Sequence, residues 1–265
     1  MLGFLIKKTF YDLWDNLFRI ALINLGFIAS AAIPVLLPGI IPIPALSIAV
    51  LALGLLWCCI YLSAAALTVR AVSDYGAFGF GDFLGNLKAG WLYGLCLGII
   101  VFLMWIMISE IIPFYLGMSS LLGLFLAAVI FWTLVLGLLS FQFFFAVRAR
   151  LDTKPIKVFK KCFIIFFDNP GFVFFCLVHN VVMLALSGLL AFLVPGPAGV
   201  LLFLDEGLRL RLLKYDWLEA NPEPDLSATP SRFRRRSIPW DALLIEEREK
   251  TGTRSLKSFI FPWKD

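Results

Sequence analysis

Charge is scarce in this sequence: 15% of its 265 residues are Asp, Glu, Lys or Arg, against a hydrophobic share of 61% and a mean hydropathy of +0.92. A soluble domain carries about a quarter charged residues, so burial in water cannot absorb this much apolar surface. Histidine is scarcer still. The single His179 argues against a His-based metal site or catalytic triad. The five cysteines (Cys58, Cys59, Cys96, Cys162, Cys176) lie in or beside apolar segments without C-x-x-C spacing, and read as small core residues. P-loop, G-x-G-x-x-G, nucleophile-elbow and H-E-x-x-H patterns are missing as well. No catalytic residue, metal or cofactor is therefore expected, and the chain is not read as an enzyme.

What the sequence does have is long uncharged runs. A helix crossing a hydrocarbon layer of about 30 Å needs about 20 mostly apolar residues. Runs at 20–37, 45–69, 89–109, 121–147, 170–194 and 198–213 predict six transmembrane helices, with turns at 113–120 and at Pro195-Gly196-Pro197. The sixth is interrupted by Asp205 and Glu206. The first run, although preceded by Lys7, Lys8 and Arg19, continues through Pro34 to Leu37 and is read as a span rather than a signal peptide.

Basic residues set the orientation. Of the 23, three lie up to Arg19, two between the second and third runs (Arg70, Lys88), six between the fourth and fifth, and twelve after Leu204, while the loops at 38–44, 113–120 and 195–197 hold none. Both termini are expected in the cytoplasm of a bacterial-type (inner) membrane. Five spans would leave the twelve C-terminal basic residues outside.

A repeat organises the chain. Phe10, Leu13, Trp14, Asp15, Asn16 match Phe80, Phe83, Leu84, Gly85, Asn86 and again Phe163, Phe166, Phe167, Asp168, Asn169, with Asp12 and Asp82 shared by the first two copies. The apolar positions recur at i, i+3 and i+4, the signature of one helix face. Such a face beside a span is expected in the membrane interface, with Lys7, Lys8, Lys160 and Lys161 extending to water or lipid heads. Asn16, Asn86 and Asn169 are expected to N-cap the following spans; a polar site formed by the three is the alternative. Returning spans close on Arg70 and Arg148, with Arg209 and Arg211 after the sixth, where a cation suits the helix dipole and lipid phosphates. The expected fold is all-α: residues 1–217 form a six-helix transmembrane domain of three hairpin repeats (about 4–71, 78–149 and 156–214), each led by an interfacial helix, and residues 218–265 form a cytoplasmic tail.

The leading repeat from Phe10 to Asn16, the stretch from Asn24 to Pro34, the segment Ser63-Ala64-Ala65-Ala66 before Val69-Arg70, and Phe83 to Asn86 followed by Trp91 resemble the YesL-like family of bacterial membrane proteins. The likeness covers roughly residues 5 to 215 and rests on pattern. It implies an accessory role in carbohydrate import beside ABC-type transporter subunits. An autonomous small-solute carrier or channel, and a membrane-shaping or assembly protein, are the alternatives.

Polar residues at membrane depth are the candidate site. Intramembrane ionisable groups mark pathways or pair locally, so Asp205 and Glu206 either line a polar cavity or form an ion pair, Asp205 with Arg209 one turn on. His179 and Asn180 carry either a relay or an interhelical hydrogen bond. Gly26, Ala29, Ala32, Gly94, Gly98, Ala127 and Ala128 permit close helix packing. In the tail, a Pro-containing linker precedes Arg232, Arg234, Arg235 and Arg236, expected on anionic lipid heads rather than nucleic acid. A short helix over 238–250, with Ser237 as cap and Gly252 beyond its end, should align Trp240, Leu243, Leu244 and Glu247. The aromatic segment after Leu256 should dock on the bundle, on lipid or on a partner.

Overall fold

The computed structural model describes residues 1–221 and 238–252, and among these every regular element is helical. In chain order they are α1 (Leu2–Asp15), α2 (Leu17–Leu36), α3 (Pro44–Ser73), α4 (Phe80–Ile106), α5 (Ile112–Gly117), α6 (Leu121–Phe141), α7 (Phe144–Arg150), α8 (Pro155–Asp168), α9 (Pro170–Leu189), α10 (Gly196–Ala220), α11 (Trp240–Leu243) and α12 (Ile245–Thr251). Among the described residues, five segments are long and apolar enough to cross a membrane: Leu17–Gly39, Pro44–Ser73, Phe80–Gly117, Leu121–Arg150 and Pro170–Leu189. The chain is thus a helical protein with several membrane-length helices. The tail cluster Arg232 and Arg234 to Arg236, Ser237 and the aromatic segment from Leu256 lie outside the described residues.

α3 is the hub, packing on α2, α4, α7 and α10. Small residues make the contacts close. Gly94 of α4 sits on the Ile60 backbone of α3, where a Cβ would collide, and Ser63 Oγ donates to Gly90 O at 2.8 Å. Gly26 of α2 similarly leaves room for Tyr61, whose hydroxyl donates to Ile23 O at 2.8 Å. α10 runs between two apolar clusters, giving Leu202 to one and Phe203, Leu204 and Leu208 to the other.

Several expectations change. One face of α1 is enclosed, with Leu5, Lys8, Thr9, Tyr11, Asp12 and Leu13 buried where the helix packs along α10, while Leu2, Ile6 and Trp14 stay exposed. The second unit has no separate leading helix, because the Asp82 carboxylate accepts from Gly79 N–H (2.7 Å) and starts α4 upstream, leaving Asn86 inside it. Asn16 and Asn169 do stand at helix junctions, but neither side chain caps the next helix. An N-cap needs extended backbone; Asn16 has φ −112°, ψ 22° and Asn169 φ −137°, ψ 56°. Instead Asn16 donates to Asp12 O, Asn169 to Asp168 and Tyr215, and Asn86 to Thr68 Oγ1.

The 113–120 turn is also shorter than expected. The helix continues through a wide π-turn over Met107–Ile111 and on to Gly117, with Pro113 in the first turn of α5, where its missing N–H costs little. The chain reverses at Met118–Ser120, where Ser120 Oγ accepts from Gly123 N–H at 3.1 Å. The fourth span breaks at Gln142-Phe143 into α6 and α7, the Gln142 amide donating to Leu139 O and Val173 O, each at 3.0 Å.

The sixth expected span is the most altered. α10 is not among the membrane-length apolar helices, and its N-terminus is met by Asn24 from within α2. Asn24 is fully buried; its amide donates to Leu193 O (2.9 Å) and Pro195 O (2.8 Å), and its oxygen accepts from Ala198 N–H (2.9 Å). Ser187 Oγ accepts from Gly196 N–H at 2.9 Å. The bonds from Gly196 and Ala198 satisfy N–H groups that a helix start leaves unpaired. Gly196 is required here, having φ +61° and no room for a Cβ beside the Asn24 amide.

Candidate functional site

The charged residues of α1, α3, α7, α10 and α12 converge at one end of the bundle. The cause begins with α3, whose last carbonyls lack helical partners and carry the negative end of the dipole. Ser73 O accepts from Lys8 Nζ (3.2 Å) and Arg209 (2.6 Å), and Ser73 Oγ from Arg150 (2.7 Å). Three cations from three helices are thereby fixed on a single helix terminus.

Acids then neutralise them. Lys8, 0% exposed, donates to Asp12 one turn along α1 and to Glu206 of α10 at 3.3 Å, and Glu206, also 0% exposed, accepts from Thr9 Oγ1. With Ser73 O, all three ammonium donors are used, and the Tyr75 ring lies 4.3 Å from Nζ. Arg150 grips Asp205 through two nitrogens, Nε to Oδ1 at 2.9 Å, and reaches Asp74 at 3.0 Å. Arg209 holds Asp74 (2.6 Å) and Glu247 (2.8 Å), and Tyr75 Oη donates to Glu247 Oε2 at 2.6 Å. Burial pushes the Asp74 carboxyl up, but Arg150, then Arg209 and Arg70, outweigh it and hold it below its ordinary value. Burial, then the bond to Glu247, push the Tyr75 hydroxyl up.

Five carboxylates thus face three enclosed cations, with Arg70 a fourth at the rim, 3.4 Å from Asp74. Removing such ions from water costs several kcal/mol each, and attraction repays it only when geometry and hydrogen bonding are nearly complete. Completeness is what Lys8 and Arg150 display. Chemically the cluster is a lock: it ties α1 and α12 to the ends of α3 and α7 and to the middle of α10.

Asp205 and Glu206 belong to this lock, but Asp205 pairs with Arg150 rather than Arg209, which turns toward Asp74 and Glu247. Lys8, expected to extend to water, is enclosed. Amphipathic spacing identifies a face and not what covers it, so an interfacial helix and one docked in a bundle look the same. Asp12, Ser73, Asp74, Tyr75 and Arg150 belong to the site without any sequence motif that marks them; the Lys8/Asp12 spacing of one turn is the available signal. The expected tail helix is present as α11 and α12, with Leu244 and Glu247 buried and Gly252 at φ +79° just beyond.

His179 and Asn180 lie elsewhere, on α9. His179 stacks on Phe203 of α10 with centroids 3.7 Å apart, and Asn180 donates to Gln142 at the α6–α7 break (3.4 Å). Asn180 Oδ1 and Ser140 Oγ, both buried, have no partner among the described residues. Arg70 donates to Ala149 O, tying α3 to α7, and Arg148 lies over the Tyr93 ring of α4 at 4.4 Å. No family model, curated protein or solved structure matches the chain.

Proposed function

We propose that this chain is a non-enzymatic accessory subunit of a carbohydrate-import, ABC-type complex in the bacterial cytoplasmic membrane, with both termini on the cytoplasmic side. The observation that carries it is the contrast between the two ends of its chemistry. The charged groups of the lock are spent on one another, whereas α4 beyond its contact with α3, together with α6, leaves a broad apolar flank exposed. The most apolar window of the span Phe80–Gly117 is 6% buried, and α6 packs on α5, α8 and α9 with little contact to α4. Phe102, Trp105, Phe114, Leu121, Phe125 and Trp132 project from this flank. A membrane helix so exposed meets lipid or the helix of another subunit. The YesL-like resemblance favours the same role, with permease and ATPase subunits as the partners.

The lock supports this topology. α1 and α12 meet the same end of α3, which supports termini on one side, and the distribution of basic residues favours the cytoplasm for that side. α10 serves as the sixth, returning element from partial depth: Gly196 lies about 14 Å along the helix from Asp205 at 1.5 Å per residue, about half the hydrocarbon thickness.

Mild-detergent purification of the tagged protein should bring permease and ATPase subunits with it, and a photo-crosslinker at Trp105 or Trp132 should capture the permease. Consistent absence of both defeats this reading. An autonomous solute carrier is the second reading, favoured by the broken α6–α7 helix with Gln142, Asn180 and Ser140 around it, since interrupted helices form the sites of many transporters. Loss of solute uptake by the isolated, reconstituted protein on Asn180→Leu would decide for it.

A further inference from the structure

Two arginines close their hairpins without an acid. Arg148, in the last turn of α7, and Arg211, on α10, have no hydrogen bond or ion pair among the described residues, and the Nε of each is buried and unpartnered. Arg70, their counterpart in the first hairpin, is satisfied by Asp74 and Ala149 O. What seats the other two is aromatic. The Arg148 guanidinium lies over Tyr93 of α4, the outward helix of its own hairpin, and Arg211 lies 4.3 Å from Phe172 of α9, again the outward helix, and 5.6 Å from Trp240 of α11.

A guanidinium stays charged at any physiological pH. Cation–π contact offsets only about 0.5–2 kcal/mol of its desolvation, and stacking on a ring face leaves the in-plane N–H donors to find acceptors elsewhere. The acids nearby are committed: Asp168 holds Lys214 (3.0 Å), Tyr215 and Asn169, and Asp205 holds Arg150. Both arginines belong to the end of the bundle where the lock lies, one turn or less from Arg150 and Arg209 along α7 and α10. In a membrane that end borders the headgroup layer.

From this placement we infer that Arg148 and Arg211 are two phosphate-binding seats, each taking the phosphodiester of an anionic phospholipid between a stacked guanidinium and the membrane interface. The shape suits the ligand, because a planar fork of N–H donors matches phosphate oxygens while its face rests on a ring. This assignment does not depend on the accessory-subunit reading; a free-standing protein would hold the same lipids.

The full-length protein is purified in mild detergent, exposed to phosphatidylglycerol, phosphatidylcholine or inorganic phosphate, and read by native mass spectrometry and thermal stability. Wild type should retain phosphatidylglycerol in preference to phosphatidylcholine. Arg148→Gln and Arg211→Gln should each weaken that retention about fivefold, equivalent to about 1 kcal/mol for each interfacial cation, and Arg70→Gln should not. Inorganic phosphate alone should leave stability unchanged. Wild type that retains no phosphatidylglycerol overturns the assignment whatever the variants do, as does equal retention by the paired Arg148→Gln/Arg211→Gln protein. Stabilisation by inorganic phosphate at the same arginines reassigns the seats to a soluble phosphate compound and overturns the lipid.

Discussion

Lys8 carries the clearest consequence at the scale of a residue. It is shared by Asp12 and Glu206, so the two substitutions that break the pair are unequal. Lys8→Met strands two carboxylates in an enclosed site and should cost about 3–5 kcal/mol, the usual penalty for orphaning a buried charge. Glu206→Gln leaves the ammonium with Asp12 and Ser73 O, keeps an acceptor for Thr9, and should cost no more than about 1.5 kcal/mol. Thermal unfolding in detergent checks the order; equal losses would mean that Lys8 and Glu206 do not share the site. From sequence, Asp205 and Glu206 stood out because acids are conspicuous in an apolar run. Lys8 and Arg150 did not, because basic residues flanking a span have an ordinary explanation in the interface.

Among the elements, the membrane-length helices were legible and their interruptions were not. Runs of apolar residues locate α2, α3, α6 and α9 closely, since length and hydropathy are properties of a segment alone, whereas α4 begins at Phe80, well before its run at 89–109. The break at Gln142 depends on Val173 O, and the beginning of α10 on Asn24, partners more than 30 and 170 residues away in the chain. No local pattern announces them. Asn24→Leu should therefore damage α10 although it lies in α2: three bonds to buried backbone groups are lost, on the order of 3 kcal/mol or more. Gly196→Ala, which forces a Cβ onto the same amide, should act in the same direction. Hydrogen exchange at residues 196–204 measures it, and unchanged protection there in Asn24→Leu would deny the cap its role.

For the molecule as a whole, the repeat predicts three alike helical hairpins, and the structure makes their leading segments unlike: α1 has one face enclosed and Leu2, Ile6 and Trp14 exposed, the second has no helix set apart, and α8 leaves Ile156, Ile164 and Phe167 exposed. Single cysteines in a background with native cysteines replaced by alanine test the proposed sidedness. An impermeant maleimide should reach Gly39→Cys and Ser119→Cys on intact cells, and Thr153→Cys and Glu249→Cys only after permeabilisation; labelling of Glu249→Cys on intact cells would place α12 on the opposite side. The Asn24 clasp also has a bearing on biosynthesis. A ribosome delivers residue 24 long before residue 196, so the earliest hairpin waits in the bilayer as a template, and α10, too polar to partition by itself, enters by docking onto it. Assembly then has a compulsory order, and a lesion in the opening segment is expressed as a failure at the close.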